Sequence, residues 1–374
     1  MMRLENNLPH EIVLEILKRL PVKPLMRFKC VSKLWLCTIE DPNFVAMHLK
    51  HSTLGGTNWY ILLTDWYFSR DQRSSLYPQK SLTLASQSEI EVPFISPNGY
   101  YGVVGSCNGL ICFAETNAED RIQRIFLWNL FTRKHKAILS SLPDYPFVDM
   151  YAAHMVLGFG YSDRIDDYKV VRITYFPDKY GRYLGEIDPK VDVYSLCANL
   201  WQTVEFNFKC ELSHFSRVSF NGNLHWLSMG VDEDRRRSFR SIITFGVAGE
   251  VFNEMALPKS CFIGITYNRA YLAELNSSLA LLINRRDLIG RSYEKCYIWV
   301  MSKYGVPDSW TKLHTLDLNE GVSRFHGFTR SGELLMQTYQ HELISWDPSV
   351  GLTRLLRKLG RFDLVTMVES LVFP

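Results

Sequence analysis

The strongest constraint in this sequence is a tight-turn marker that recurs along its length. From about residue 58 onward, short β-type runs are separated by turn residues, and four of them follow such a marker: Asn108-Gly109-Leu110, Asn221-Gly222-Asn223-Leu224, Ser277-Ser278-Leu279 and Ser331-Gly332-Glu333-Leu334. Each places a tight turn just before an apolar strand. Gly158-Phe159-Gly160 reads as a divergent fifth turn of the same kind. Examples of the apolar runs are Tyr60 to Thr64, Gly109 to Phe113, Phe126 to Asn129, Val170 to Phe176 and Val191 to Leu196, then Ser241 to Phe245, Leu279 to Ile283, Cys296 to Met301, Leu334 to Gln337 and Glu342 to Trp346.

After each marker a strand closes in an aromatic or polar turn, as in Trp128-Asn129, Tyr194 to Trp201, Phe245-Gly246, Trp299 to Trp310 and Trp346-Asp347. The markers recur roughly every 50 to 60 residues, the range of propeller blades of the kelch type. Five such units, with a composite blade from the strands near Tyr60 and near Val365 to Val372, predict a six-bladed ring. Joining the two ends in one blade removes the open sheet edges that an unclosed array exposes. A β-sandwich and an incomplete propeller are the competing architectures.

Residues 7 to 49 follow a different rule. Asn7 can cap a first helix with Pro9 in its opening turn and Glu11 near the positive end of its dipole. Leu8, Ile12, Ile16 and Leu20 recur at four-residue spacing on one face, Val13 and Leu17 widen that stripe, and Pro21 ends it. A second helix after Val22-Lys23-Pro24 carries Leu25, Met26 and Phe28. A third begins near Ser32 and carries Trp35 and Ile39, and Asp41-Pro42 breaks it before a last turn through Phe44 and Leu49. Three short helices cannot hide this many large side chains among themselves. The stripe therefore packs on the rest of this chain or on a partner. The expected fold class is α+β multidomain, with a three-helix domain over residues 1–50 and an all-β domain over 51–374.

Charge and chemistry narrow the function. Residues 1–50 hold eight Lys/Arg against five Asp/Glu, and the remainder holds 34 of each sign, so the positive excess is confined to the helices. It forms no continuous basic stripe and has few polar residues placed to read bases, which argues against nucleic acid. The longest apolar runs, such as Ser278 to Asn284, fall far short of the roughly 20 residues of a membrane helix, so no membrane partner is expected. The opening MMRLENNLPHE lacks the apolar core of a signal peptide, which points to the cytoplasm or nucleus. There the eight scattered cysteines stay thiols and the sequon at Asn276 stays unmodified.

Catalysis leaves typed residues at constrained spacings, and the sequence contains no His-Glu-x-x-His, Cys-x-x-Cys, Gly-x-Ser-x-Gly or Walker loop. Cys107 and Cys112 read as core thiols at the ends of a strand-turn unit. Asp163, Asp166 and Asp167 lack the alternating spacing and closing glutamate of a calcium loop. Arg235-Arg236-Arg237 with Arg240 lies beside Asp232, Glu233 and Asp234, a mixed-sign pattern typical of a solvated loop. The expectation is a binding protein with no enzymatic activity, cofactor or metal. A propeller enzyme with a helical leader is the alternative, and it requires convergent His, Asp or Glu residues.

The segment LPHEIVLEILKRLPVKPLMRFKCVSKLWLCTIEDPNF resembles an F-box in its opening Leu-Pro, its Ile12/Ile16/Leu20 stripe, its Leu20-Pro21-Val22 turn and its Arg27-Phe28 to Trp35 segment. The rest of the chain is similar to the F-box-associated domain of plant F-box proteins through VGSCNGLICF, GFGYSDRIDDYKVVRI, VDVYSLCANLWQTVEF, FNGNLHWL and SWDPS. Together the two resemblances cover nearly the whole chain. The general wording and the terminal MVESLVF also resemble the S-locus pollen F-box group, which implies a role in self-incompatibility and a secreted ribonuclease as target.

What the F-box resemblance implies is a substrate receptor of an SCF-type ubiquitin ligase. The F-box docks on an SKP-family adaptor, the adaptor brings a cullin scaffold and a RING subunit, and the β domain holds a target protein for ubiquitination and degradation. Leu8, Pro9, Ile12, Ile16, Leu20, Pro21, Val22, Leu25, Phe28, Val31 and Trp35 then form or support the adaptor surface. Leu8, Pro9 and Pro21-Val22 are the expected direct contacts, and Phe28 and Trp35 are the candidates for the internal core. Loops at Asp178 to Glu186 and Asp232 to Arg240 are candidate target contacts. An interaction scaffold using the F-box outside a ligase is the other open reading.

Overall fold

The computed structural model describes residues 9–374 apart from 57, 66–72, 80–87, 95–100, 116–121, 142–153, 178–187, 232–236, 259–260, 262–267, 287–293, 319–320 and 359–361. Among the described residues, four α-helices lead into six four-stranded antiparallel sheets. The helices are α1 (His10–Leu17), α2 (Val22–Phe28), α3 (Lys33–Glu40) and α4 (Pro42–Gly55). Pro9 is the N-cap of α1, and Asn7 lies outside the described residues. Ser32 caps α3 by accepting from Trp35 N at 3.2 Å, and Asp41 caps α4 through Asn43 N at 2.8 Å and Phe44 N at 3.3 Å.

That last cap corrects the sequence expectation. Asp41-Pro42 does end α3, but an Asp at the N-cap followed by Pro in the first turn is also a helix start. The expected last turn is in fact a fourteen-residue helix closed by Gly56 at φ 64°. The helical segment therefore contains four helices and runs to Gly55, past the expected boundary at 50.

The blades follow in chain order. The first joins β1 (Trp59–Asp65), β2 (Arg73–Pro78) and β3 (Ser88–Glu91) to the last strand of the chain, β24 (Phe362–Val368), in the order β24-β1-β2-β3. The second is β4 (Tyr101–Cys107), β5 (Leu110–Glu115), β6 (Ile122–Asn129) and β7 (Lys134–Ser141). The third is β8 (His154–Ser162), β9 (Asp167–Tyr175), β10 (Lys190–Ser195) and β11 (Leu200–Val204). The fourth is β12 (Glu211–Phe220), β13 (Asn223–Val231), β14 (Arg237–Gly246) and β15 (Val251–Ala256). The fifth is β16 (Asn268–Leu275), β17 (Ser278–Arg286), β18 (Glu294–Met301) and β19 (Trp310–Leu318). The sixth is β20 (Val322–Phe328), β21 (Leu334–Thr338), β22 (Glu342–Asp347) and β23 (Leu352–Lys358).

This is the expected six-bladed β-propeller. β24 pairs antiparallel with β1 from Trp59↔Val368 to Asp65↔Phe362, so the two ends of the β region share a blade. The hairpin from first to second strand turns where the sequence placed it at Asn108-Gly109 (φ 52° and 84°) and Asn221-Gly222 (φ 51° and 68°). At the fifth blade the turn is Asn276-Ser277 (φ 48° and 58°), one residue earlier than expected, because Asn adopts the left-handed region more readily than Ser.

Gly158-Phe159-Gly160 is not a turn. It lies within strand β8, and the turn falls later, at Asp166 (φ 48°). A Cβ on Gly158 would sit 2.4 Å from the Trp226 ring, and one on Gly160 would sit 2.9 Å from Leu224. These glycines let the fourth blade pack directly onto the backbone of the third. Hydrophobic clusters correspondingly run between blades, with Val156, Val171 and Val193 of the third meeting Leu224, Trp226 and Phe245 of the fourth.

Candidate functional site

The helical module encloses a small core of Leu17, Val22, Leu25, Ile39 and Phe44. On α1 the inward residues are Val13, Leu14 and Leu17. Ile12 and Ile16 face outward, 46% and 49% exposed, although their four-residue spacing reads as a buried stripe. Val31, between α2 and α3, and Leu34, in the first turn of α3, are each 67% exposed. Covering what is left exposed of one such side chain contributes about 1–2 kcal/mol, so this module displays apolar surface that a partner can remove from water.

The expected adaptor residues divide into three groups. Pro9, Ile12, Ile16, Pro21 and Val31 are exposed, and Leu20, Phe28 and Trp35 are half-buried. Phe28 and Trp35 meet edge to face at 4.9 Å, at the margin of the core. Val22 and Leu25 are wholly buried. Val22 thus cannot be the direct contact expected of it: Pro21 turns the chain so that the first residue of α2 points inward. Leu8 lies outside the described residues. Leu34 and Leu36 beside Trp35, and Met47 and Leu54 on α4, are also exposed and stand outside the expected adaptor set.

The helices sit on the ring at the hairpin ends of the second blade. Phe131, in the turn after β6, joins the helical core, and Val45 and Leu49 of α4 pack on a ring cluster that contains Leu110, Leu157 and Val372. The Trp59 indole donates to Thr53 O at 3.3 Å, and the Arg330 guanidinium lies 5.3 Å from the Trp59 ring. His48 Nε2 lies 3.0 Å from Leu20 O, which makes it the protonated nitrogen. Burial holds its pKa below the usual imidazole range.

In a sheet of antiparallel strands, the turns between first and second and between third and fourth strands share one face, and the other connections leave from the opposite face. The helices cover the first kind. The candidate target loops at Asp178 to Glu186 and Asp232 to Arg240 are the second kind, joining β9 to β10 and β13 to β14. Residues 178–187 and 232–236 lie outside the described residues, and Arg237 to Arg240 begin β14.

A central cavity of about 560 Å³ runs between the innermost strands. Charged stitches line it. Asp363 accepts from Arg324 at 2.6 Å and from Val103 N at 3.1 Å, tying β24 to both neighbouring inner strands. Arg217 donates to Val104 O at 2.7 Å and to Val103 O, and burial lowers its pKa to about 10, where it is still charged at neutral pH. His326 is held neutral, its pKa pushed well down by burial and by nearby Arg324.

The other residues raised by the sequence have structural roles. Asp166 accepts from the Tyr161 hydroxyl, and Asp167 accepts from Ser195 Oγ and Cys197 N. Cys112 is fully buried, and desolvation pushes the Cys107 thiol up to about 12.

The chain thus has two parts, a helical module with exposed apolar residues and the closed six-bladed ring on which it sits. Residues 6–46 match the F-box domain family, and residues 78–358 match the F-box associated beta propeller domain family. The chain belongs to the F-box proteins that carry this propeller. It is 30% identical to F-box protein CPR1 of Arabidopsis thaliana over 335 residues, covering 85% of this chain and 75% of that protein. An F-box/kelch-repeat protein of the same plant is 30% identical over 323 residues, with 82% and 79% covered. Among solved structures, an oligogalacturonate lyase from Vibrio parahaemolyticus aligns over 80% of this chain and 79% of its own, with a TM-score of 0.46 at 8% identity. So loose a likeness has no bearing on activity.

Proposed function

We propose that this protein is the substrate receptor of an SCF-type ubiquitin ligase, with the helical module on an SKP-family adaptor and the ring holding a target protein. The observation that carries the reading is the exposure of Ile12, Ile16, Val31 and Leu34 on a module that matches the F-box family. A cullin and a RING subunit join through the adaptor. The chain makes and breaks no bond of its own, and its contribution is to hold a target lysine near the loaded conjugating enzyme at high effective concentration. Target contacts fall on the face opposite the helices, where the adaptor does not compete. The protein works in the cytoplasm or nucleus, where that machinery resides.

The test is co-expression with an SKP-family adaptor, followed by pull-down and size exclusion. Wild type forms a complex, and the double variant Ile12→Asp with Ile16→Asp does not, although its circular dichroism is unchanged. A wild-type chain that binds no adaptor overturns the proposal.

A further inference from the structure

Residues 369–374 leave the ring after β24 and run between the ring and the helices. Glu369 is 4% exposed, and its Oε1 accepts from Val22 N, at the start of α2, at 2.6 Å. The first amides of a helix have no partner within it, so this carboxylate supplies one across the junction. Glu369 N donates to Asn58 O at 2.8 Å, and the Asn58 side chain donates to Ser52 of α4 at 3.3 Å. Ser370 lies against the β4–β5 turn so closely that a Cβ on Gly109 would fall 2.3 Å from its hydroxyl.

The next two side chains point to opposite sides, as they do in any extended segment. Leu371 enters the helical core and Val372 enters the ring core. Asn129 secures the backbone between them. Its Nδ2 donates to Ser370 O at 3.0 Å and Val372 O at 2.7 Å, and its Oδ1 accepts from Phe131 N and Thr132 N of its own turn. A single segment is thus tied to α2, to α4 through Asn58, and to the second blade.

We propose that residues 369–374 are a strap that sets the orientation of the helical module on the ring, and that Glu369 and Asn129 are positioning residues for ubiquitin transfer. The transfer role rests on the ligase reading above, whereas the strap itself does not. Effective concentration falls when a joint between two binding modules loosens, so an intact adaptor site and an intact ring are insufficient without this contact.

The experiment uses the full chain with dyes on non-canonical residues at Glu11 and Leu313, read by single-molecule energy transfer. The same chain is also assembled with SKP-family adaptor, cullin, RING subunit and loaded conjugating enzyme, and its own lysines serve as the acceptor probe, mapped by mass spectrometry. Wild type and Glu369→Gln, which keeps the acceptor oxygen, give one narrow distance distribution and one restricted set of modified lysines. Glu369→Ala, which removes the bond to α2, and Asn129→Ala, which releases Ser370 O and Val372 O, broaden the distribution. They also slow modification at the wild-type sites by threefold or more and spread it to other lysines, while adaptor affinity stays within twofold. Asn129→Ala leaves Glu369 and the helical module intact and decides the matter if Glu369→Ala fails to fold. A narrow distribution in both variants overturns the strap. A broad distribution with unchanged rate and sites overturns the positioning role. If wild type binds no adaptor, the ligase reading fails and the positioning role with it, and the distance distribution still decides the strap.

Discussion

Replacing Gly158 by Ala adds one methyl group where the structure has no room for it. The new Cβ falls 2.4 Å from Trp226 Cζ2 and 2.9 Å from Leu224 Cδ1, both below any real contact distance. Trp226 is fully buried, and its indole donates to Leu157 O at 3.4 Å, so its ring cannot swing away without losing that bond. Overpacking of this kind costs about 1–3 kcal/mol. For a ring of this size, about 2 kcal/mol lowers the melting temperature by roughly 4 °C or slightly less. Trp226→Phe opens space at the contact point, so a double-mutant cycle followed by thermal unfolding should show Gly158→Ala costing less in that background. Equal costs in both backgrounds, or no cost in the first, would refute the account of how the third and fourth blades meet.

Other outcomes follow from the same geometry. Asn129→Asp sets a carboxylate against Ser370 O and Val372 O and should cost about 2–4 kcal/mol in urea unfolding, with faster amide exchange over 369–373. Burial lowers the His225 pKa from 6.5 to about 4, so the folded form resists protonation more than the unfolded chain. Stability is then full above pH 6.5 and falls as pH drops toward 4, by about 3 kcal/mol, a slope that His225→Asn should flatten in a pH series. Burial raises the Glu369 pKa, so its contribution has the opposite sign and is lost as pH rises through the folded value; Glu369→Gln should remove that loss. If the S-locus resemblance extends to function, calorimetry should detect a secreted ribonuclease binding the ring, and no heat with a panel of such enzymes would exclude it.

Most of the strands that the sequence announced lie in the middle of a blade, and the exception is the one near Val365 to Val372, which is the inner strand β24. The ten apolar runs named above are second or third strands of a blade, from β1 to β22. They sit between neighbours on both sides, and β5, β9 and β21 are buried along their whole length. Outer strands such as β11 and β15 alternate or lie mostly exposed, so they read as loops. Inner strands face the cavity and carry residues such as Arg217, Arg324 and Asp363, whose partners are distant in sequence. The same limit applied to the helices. Spacing placed Ile12, Ile16 and Leu17 together, but only packing shows that Leu17 turns inward and the two isoleucines outward. The terminal MVESLVF stood out as a subgroup signature. The structure accounts for it residue by residue as the end of β24 and the segment beneath the helices, a role that any chain with this ring and this module can use.

Pairing the first blade with β24 also sets an order of events during synthesis. Strand β1 is made some 300 residues before its inner neighbour, so the ring stays open until translation has passed Val368. The helices emerge first, yet Val22 and Asn129 wait for Glu369 and Ser370. A product terminated near residue 360 would carry the F-box on an unclosed ring with a free sheet edge and no fixed joint. On the ligase reading proposed above, such a product would occupy an adaptor without aiming it.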